Sequence, residues 1–288
     1  MTLTIRSFAI CTIVLGMFPA CCQAGFISTA SVSTTNAGTE SDNGAVATAS
    51  IQNSVASSSG SASSRVGESY SGLMKQFVVA SDDDNNRFTS WRSRAIGSFS
   101  DQVIWNGSTP APNTVFLTVT YDGIFSGAPL GTHTSVRGQA SSIVNVTQNG
   151  FIDKGSMFAS LELSRDGSVT LGTDGTSFID TSFLQPRKFI GTRRFELLKD
   201  SASDSYNFQI SLDTSVFVND VSMLADIGST LSLGDISLND GTSVIDQVTL
   251  GSGLTPQLGS PVPEPTSLAV YLVAIGCGGV ARFRCRRG

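Results

Sequence analysis

His133, in the stretch GTHTS, is the single imidazole among 288 residues. A Ser-His-Asp arrangement needs a base that titrates near neutrality, so any such machinery would have to be built on His133. A multi-histidine metal site would lack its second ligand. The ordinary reading of a histidine between two threonines is a solvated loop residue. Carboxylates are more plentiful. Glycoside hydrolysis needs two of them facing one another across the substrate, and Glu68, Glu162 and Glu196 are available among many aspartates, although nothing in their spacing singles out a pair. The run DDDNN places Asp82, Asp84 and Asn86 at the first three oxygen-ligand positions of a calcium loop. The pattern then breaks, because Arg87 stands where glycine makes the turn and Ser93 where a bidentate glutamate closes the shell. A solvated acidic turn is the plain alternative. Trp91 and Trp105 have the ring area to form a sugar-stacking platform, or to fill the core of a sandwich. GDISL, residues 234–238, has one residue too many for a GDSL nucleophile block, and GxSxG is absent, so it reads as strand and turn. No cofactor is expected, and the sequence favours a protein that is not an enzyme.

The five cysteines sit at the ends of the chain, Cys11, Cys21 and Cys22 near the start and Cys277 and Cys285 near the finish. The long middle therefore has no disulfide framework, no thiolate metal site and no cysteine nucleophile, and its stability must come from a packed core. Charge excludes another class. Of 18 basic and 23 acidic residues, Arg6, four arginines near the C-terminus and Glu264 lie in the end segments, which leaves 13 basic against 22 acidic residues, a balance of −9. Nucleic acid and anionic lipid call for basic patches, so a nucleic-acid partner is not expected.

The elements that must position these residues read as strands. NTVFLTVTYDG sets Val115, Leu117, Val119 and Tyr121 on one face and predicts a turn at Asp122-Gly123. SMFASLELSRDGSVTLG sets Met157, Ala159, Leu161 and Leu163 on one face, and Asp166-Gly167 predicts a hairpin into Val169 and Leu171. YNFQISLD alternates Tyr206, Phe208, Ile210 and Leu212 with polar residues, and Asp240-Gly241 punctuates further short strands. Residues 25–69 are rich in Ser, Thr, Ala and Gly, the composition of a flexible linker. Yet AVATASIQ alternates Ala47, Ala49 and Ile51 with Val46, Thr48 and Ser50, as a strand with a small-residue face would. No window away from the ends keeps a helical period. The expected class is all-β, an antiparallel β-sandwich or jelly roll with a body over residues 70–258, an N-terminal signal helix and a C-terminal transmembrane-like helix.

The ends themselves are readable. Arg6, an apolar run over residues 8–18, Pro19, and Cys22 and Ala24 at the −3 and −1 positions of a cleavage site make residues 1–24 a secretory signal peptide, handled by the Sec export machinery. At the other end, residues 268–281 form an apolar run of 14 residues, about 21 Å of helix at 1.5 Å per residue. About 20 residues are needed to span a bilayer core, so this span is short, and Gly276, Gly278 and Gly279 weaken it further. Arg282, Arg284, Arg286 and Arg287 follow it and would hold that end in the cytoplasm, leaving the body outside.

Val262-Pro263-Glu264-Pro265, the apolar run and the arginine cluster, all within residues 259–288, resemble the three-part PEP-CTERM sorting signal. That resemblance implies recognition of Pro263, Glu264 and Pro265 by an exosortase-type membrane protease. It implies transient inner-membrane anchoring by the C-terminal helix, then release to the outer surface or extracellular matrix of a bacterium that makes extracellular polysaccharide. The order of strand-like segments ahead of the tail also resembles a recurrent class of β-rich proteins with this signal, which gives no catalytic residues to carry over. A structural or interaction role at the cell surface is the leading expectation. A carbohydrate-binding module for extracellular polysaccharide comes next, and an exported hydrolase after it.

Overall fold

A computed structural model of the chain describes residues 27–254, except 36, 45, 56–57, 70–71, 83–89, 130–136, 165–167, 179–186 and 220. The expected signal helix, the sorting tail, His133, Asp84 and Asn86 lie outside the described residues. Among the described residues no helix is long and apolar enough to cross a membrane.

The described residues form fifteen strands, all paired antiparallel: β1 (Ile27–Thr34), β2 (Gly38–Gly44), β3 (Ala47–Val55), β4 (Ser58–Ser69), β5 (Gly72–Ser81), β6 (Trp91–Trp105), β7 (Thr114–Pro129), β8 (Arg137–Gln148), β9 (Ile152–Leu163), β10 (Val169–Asp174), β11 (Ser177–Phe178), β12 (Arg187–Leu198), β13 (Ser205–Asn219), β14 (Val221–Ser237) and β15 (Val248–Leu250). They build two sheets in a sandwich-like arrangement. The first runs β10-β9-β8-β13-β6-β1-β2, with β15 also on β6, and the second runs β11-β12-β7-β14-β5-β4-β3. Each sheet turns one side-chain set inward and leaves the alternate set wet, which is why the sequence alternates. Val115, Leu117, Val119 and Tyr121 of β7 and Ile210 and Leu212 of β13 are fully buried, and Met157, Ala159 and Leu161 of β9 face the same core. Full burial of such a side chain stabilises by about 1.5–3 kcal/mol, so the three alternating segments anchor both sheets. Tyr121, Phe125 and Phe189 stack at centroid distances of 5.0 and 4.8 Å in the middle of the second sheet.

One local expectation comes out differently, and one alternative that the sequence leaves open resolves to strands. Asp122-Gly123 makes no turn, since β7 runs straight through it to Pro129 and Gly123 pairs with Phe189 of β12. The glycine serves close approach: a Cβ there would meet Ile227 Cδ1 and Phe189 Cζ, each at 2.7 Å. The second concerns residues 25–69, whose composition suits a linker equally well. They supply β1 to β4, with Ala30, Val32, Ala47, Ala49, Ile51, Ala62 and Val66 on the inner face. Small side chains are needed there because Trp91 occupies the space between the sheets. A Cβ on Gly60 would collide with Trp91 Nε1 and Ser93 Oγ and lie 2.6 Å from Thr34 Oγ1.

Two glutamines tie the sheets together. Gln76 of β5 donates from Nε2 to the Leu212 carbonyl of β13 at 3.0 Å. Gln148 of β8 accepts from the Leu198 N–H at 3.1 Å and donates back to its carbonyl at 2.5 Å.

Candidate functional site

The residues singled out by their chemistry are dispersed. Asp82 is buried, accepts the Ser58 hydroxyl at 2.5 Å, and donates its backbone N–H to the Val221 carbonyl at 3.0 Å. The first ligand position of the calcium-loop pattern therefore faces a neighbouring strand. Ser81 pairs with Ser222, Pro129 with Val221 and Arg137 with Asn219, so the end of β5 next to Asp82 lies at the same end of the sandwich as the end of β7 and the start of β8. Among the described residues no group of three His, Cys, Asp or Glu side chains is placed to hold a metal ion.

Glu162 and Glu196 do not meet. Glu162 lies on the outer face of the first sheet, 3.7 Å from Arg137, and Glu196 on the outer face of the second, in register with Phe116. The sandwich stands between them, so they cannot flank one glycosidic bond. The tryptophan platform fails as well. Trp91 is 4% exposed and donates from Nε1 to Thr34 Oγ1 at 3.0 Å. Trp105 packs partly buried on the same core and donates to the Thr109 carbonyl at 2.8 Å. They sit at opposite ends of β6, 14 residues or about 46 Å of strand apart, too far for one platform.

Two arrangements that sequence reasoning missed are built. The first is a shallow open groove of about 310 Å³ on the outer face of β3, β4 and β5. Register explains its lining. Thr48 pairs with Arg65 and Arg65 with Lys75, while two residues along Ser50 pairs with Ser63 and Ser63 with Phe77. The outer face thus carries one cationic row and one hydroxyl-and-aromatic row about 6.6 Å apart, with Ala49, Ser64 and Gln76 turned inward between them. The alternation in LMKQFVV, which sets Lys75, Phe77 and Val79 against Met74, Gln76 and Val78, was the available signal. Arg65 stood hidden inside a serine run.

The second arrangement is at the chain ends. β1 begins opposite Ser100 of β6, and β15 ends opposite Val103, so both termini of the body reach the same flank of one strand. Asp101 lies between them, 8% exposed. Its Oδ1 accepts the Gln102 N–H at 2.7 Å and the Ser252 N–H at 3.0 Å, and its Oδ2 accepts the Ser252 hydroxyl at 2.5 Å. Burial raises the carboxyl pKa against the lowering effect of those bonds. Both carboxylate oxygens are engaged in holding a turn, so the raised pKa marks a clamp and not an acid facing a substrate. A Cβ on Gly251 would lie 2.8 Å from Gln102 Cγ and 3.0 Å from Asp101 Oδ1, which fixes glycine at that position.

No protein-family model matches the chain, and no curated protein does. Among solved structures, similarity is found to a chain from work on the promiscuous specificity of carbohydrate-binding modules of the β-sandwich superfamily, at 8% identity and a TM-score of 0.19, covering 73% of this chain and 74% of that one. A likeness at that level carries no argument about ligand or ancestry.

Proposed function

We propose that the protein is an exported, non-enzymatic β-sandwich of the cell surface or extracellular matrix, delivered through its C-terminal PEP-CTERM-like tail. The observation that carries this reading is the ordered tail itself: Val262-Pro263-Glu264-Pro265, a 14-residue apolar run, and Arg282, Arg284, Arg286 and Arg287. The body's construction is compatible with it. A tail continuing from residue 254 leaves the flank of β6 beside the turn that Asp101 holds, so processing at either end need not disturb the sheets. A cysteine-free body suits a protein whose core alone must hold it together outside the cell. The partners on this reading are the Sec export machinery and an exosortase-type protease.

The test is Glu264→Ala with Pro265→Ala in an exosortase-bearing host. Full-length protein is expected to accumulate in the membrane fraction, because the recognition residues are gone while the apolar run remains. Unchanged processing would sink the reading.

A second reading, binding of extracellular polysaccharide, is favoured by the groove over β3 to β5, where hydroxyls, an aromatic ring and two cations line one open surface. It does not run through Trp91 or Trp105, which are core residues.

A further inference from the structure

The two sheets turn differently charged faces outward. On β12 of the second sheet, Lys188, Arg194 and Glu196 stand on the outer face. On the first sheet, the outward positions of β9, β8, β13, β6 and β1 from the row of Ser160 to the row of Ser156 bring together two charges, Arg94 and Asp213, and these cancel. Arg94 Nε donates to Asp213 Oδ1 at 2.9 Å, and a second guanidinium nitrogen donates to Oδ2. Charge returns only around the margin, with Glu162 and Arg137 at one end, Asp153 at the other and Glu40 and Asp42 along β2.

Inside that margin the face is made of hydroxyls and amides. Ser156, Asn145, Ser211, Ser98 and Thr29 stand in register across five strands, and Thr147, Gln209 and Ser100 continue the pattern two residues along. Such rows lie about 6.6 Å apart and their strands about 4.8 Å apart. Each of these groups both donates and accepts, so a side chain already bonded to a neighbour, as Gln209 Nε2 is to Ser98 Oγ at 2.8 Å, keeps further capacity. One row beside them is apolar, with Phe158, Ile143 and Ile96 each half-buried. Phe158 leans over the next strand: a Cβ on Gly172 of β10 would lie 3.2 Å from its Cε1 and 3.8 Å from its Cζ. Glycine at 172 therefore clears the space for a ring laid across the sheet, with part of the ring left to solvent.

We infer that this outer face binds a neutral, hydroxyl-rich polysaccharide, with Asn145, Ser211, Gln209 and Ser98 on its hydroxyls and Phe158 against the C–H side of a sugar ring. A field without net charge on an acidic body attracts no anionic chain. A protein partner calls for aromatic residues, Met and Arg at the centre of the contact, where this face places serine. A lipid surface calls for a contiguous apolar area, and here a single row is apolar. Sugar hydroxyls, which donate and accept as these side chains do, fit what is present. The groove over β3 to β5 lies on the other sheet, so this inference goes beyond the reading built on that groove and concerns a separate surface.

The experiment is affinity electrophoresis of the purified protein through gels containing hydroxyethylcellulose, dextran or galactomannan as neutral polymers and polygalacturonate as an acidic one. The variants are Asn145→Ala/Gln209→Ala and Phe158→Ala on this face, with Phe77→Ser reporting on the groove. At least one neutral polymer is expected to retard the wild type, and added salt should leave that retention unchanged, since no charge is screened. The double variant should bind about tenfold more weakly and Phe158→Ala several-fold more weakly. Both should keep a cooperative melt, so that the loss is read on folded protein. Retention by the face variants equal to wild type, together with its loss in Phe77→Ser, would overturn the inference and leave the groove reading standing. Retardation by polygalacturonate alone, abolished by salt, would also overturn it, and retardation by no polymer would overturn both readings. A wild-type dimer in sedimentation that the face variants dissociate would assign the surface to a second copy of the chain and refute the polysaccharide assignment.

Discussion

The Asp101 clamp allows the most exacting test of how the body is closed. Replacing Asp101 with alanine removes three accepted hydrogen bonds at once, from Gln102 N–H, Ser252 N–H and Ser252 Oγ–H. Bonds to a charged acceptor contribute about 1.5–3 kcal/mol each, so three independent ones would total about 5–9 kcal/mol. That figure is too large here. The raised pKa shows that the cost of burying the anion exceeds the preference of those bonds for it, and alanine removes that cost too. What remains is chiefly two backbone N–H groups left without an acceptor, at about 1–3 kcal/mol each and reduced on the half-exposed Ser252 side, for a net loss of about 2–3 kcal/mol. At about 2–4 °C per kcal/mol for a body of this size, the melting temperature should fall by about 4–12 °C. Asp101→Asn keeps Oδ1 as an acceptor and lets its amide donate to Ser252 Oγ, so it should stay within about 1 kcal/mol of wild type.

The pH dependence has a definite sign. The folded pKa lies above the ordinary value of about 3.9, so the stabilisation from protonating Asp101 is complete below that value and is lost as pH rises through the raised folded pKa. The difference between wild type and Asp101→Asn should therefore shift in favour of wild type on acidification across that window. Urea melts at several pH values give this difference, and hydrogen exchange locates the effect. Asp101→Ala should speed exchange in β15 and the turn at Gly251 and Ser252 well before the β8 and β13 amides. Uniform acceleration across the body, or an Asn variant as damaged as the Ala variant, would refute the clamp.

Gly60→Ala should cost about 1–3 kcal/mol by overpacking, because its Cβ collides with Trp91, Ser93 and Thr34 in a buried hydrogen-bonded set; a urea melt within a few tenths of wild type would contradict that packing. Gln148→Leu removes both bonds to the Leu198 backbone across the two sheets and should destabilise by about 1–3 kcal/mol, with fastest amide exchange at the end of β12. On the proposed sorting role, neutralising Arg282, Arg284, Arg286 and Arg287 should release uncut protein outside the cell, since a span short of ~20 residues would lose its cytoplasmic stop; normal cleavage at the membrane would show that the apolar run suffices.

Strand identity and facing were legible wherever one face is apolar and large. Tyr206, Phe208, Ile210 and Leu212 announce their own alternation, and the core claims each of them. Legibility failed where the inner face is made of alanine and glycine. In residues 25–69 burial depends on a partner far along the chain, Trp91, whose bulk makes Gly60 necessary, and no local window contains that information. It failed again at Asp122-Gly123, where a dipeptide with hairpin chemistry is overridden by close approach of Phe189 and Ile227 from neighbouring strands. The candidate site was invisible for a related reason. Arg65 and Lys75 are ten positions apart and belong to two differently composed segments, and only the β4–β5 register brings them face to face.

The same reasoning links the body to its tail. β6 offers one edge that two short strands divide, with β1 along residues 93–100 and β15 along residues 103–105, and the Asp101–Ser252 turn fills the interval. Because β15 runs inward from the Trp105 end, the chain turns away at mid-strand and not from a tip of the sandwich. A pull applied beyond residue 254 is then borne first by β15, which has three residue pairs with β6, and by the Asp101 bonds, while β1 keeps eight pairs on the same edge. If the tail holds the body at a membrane before cleavage, this short strand and its buried carboxylate are the mechanical fuse between anchor and core. Weakening it by Asp101→Ala should loosen the attachment while the two sheets stay paired.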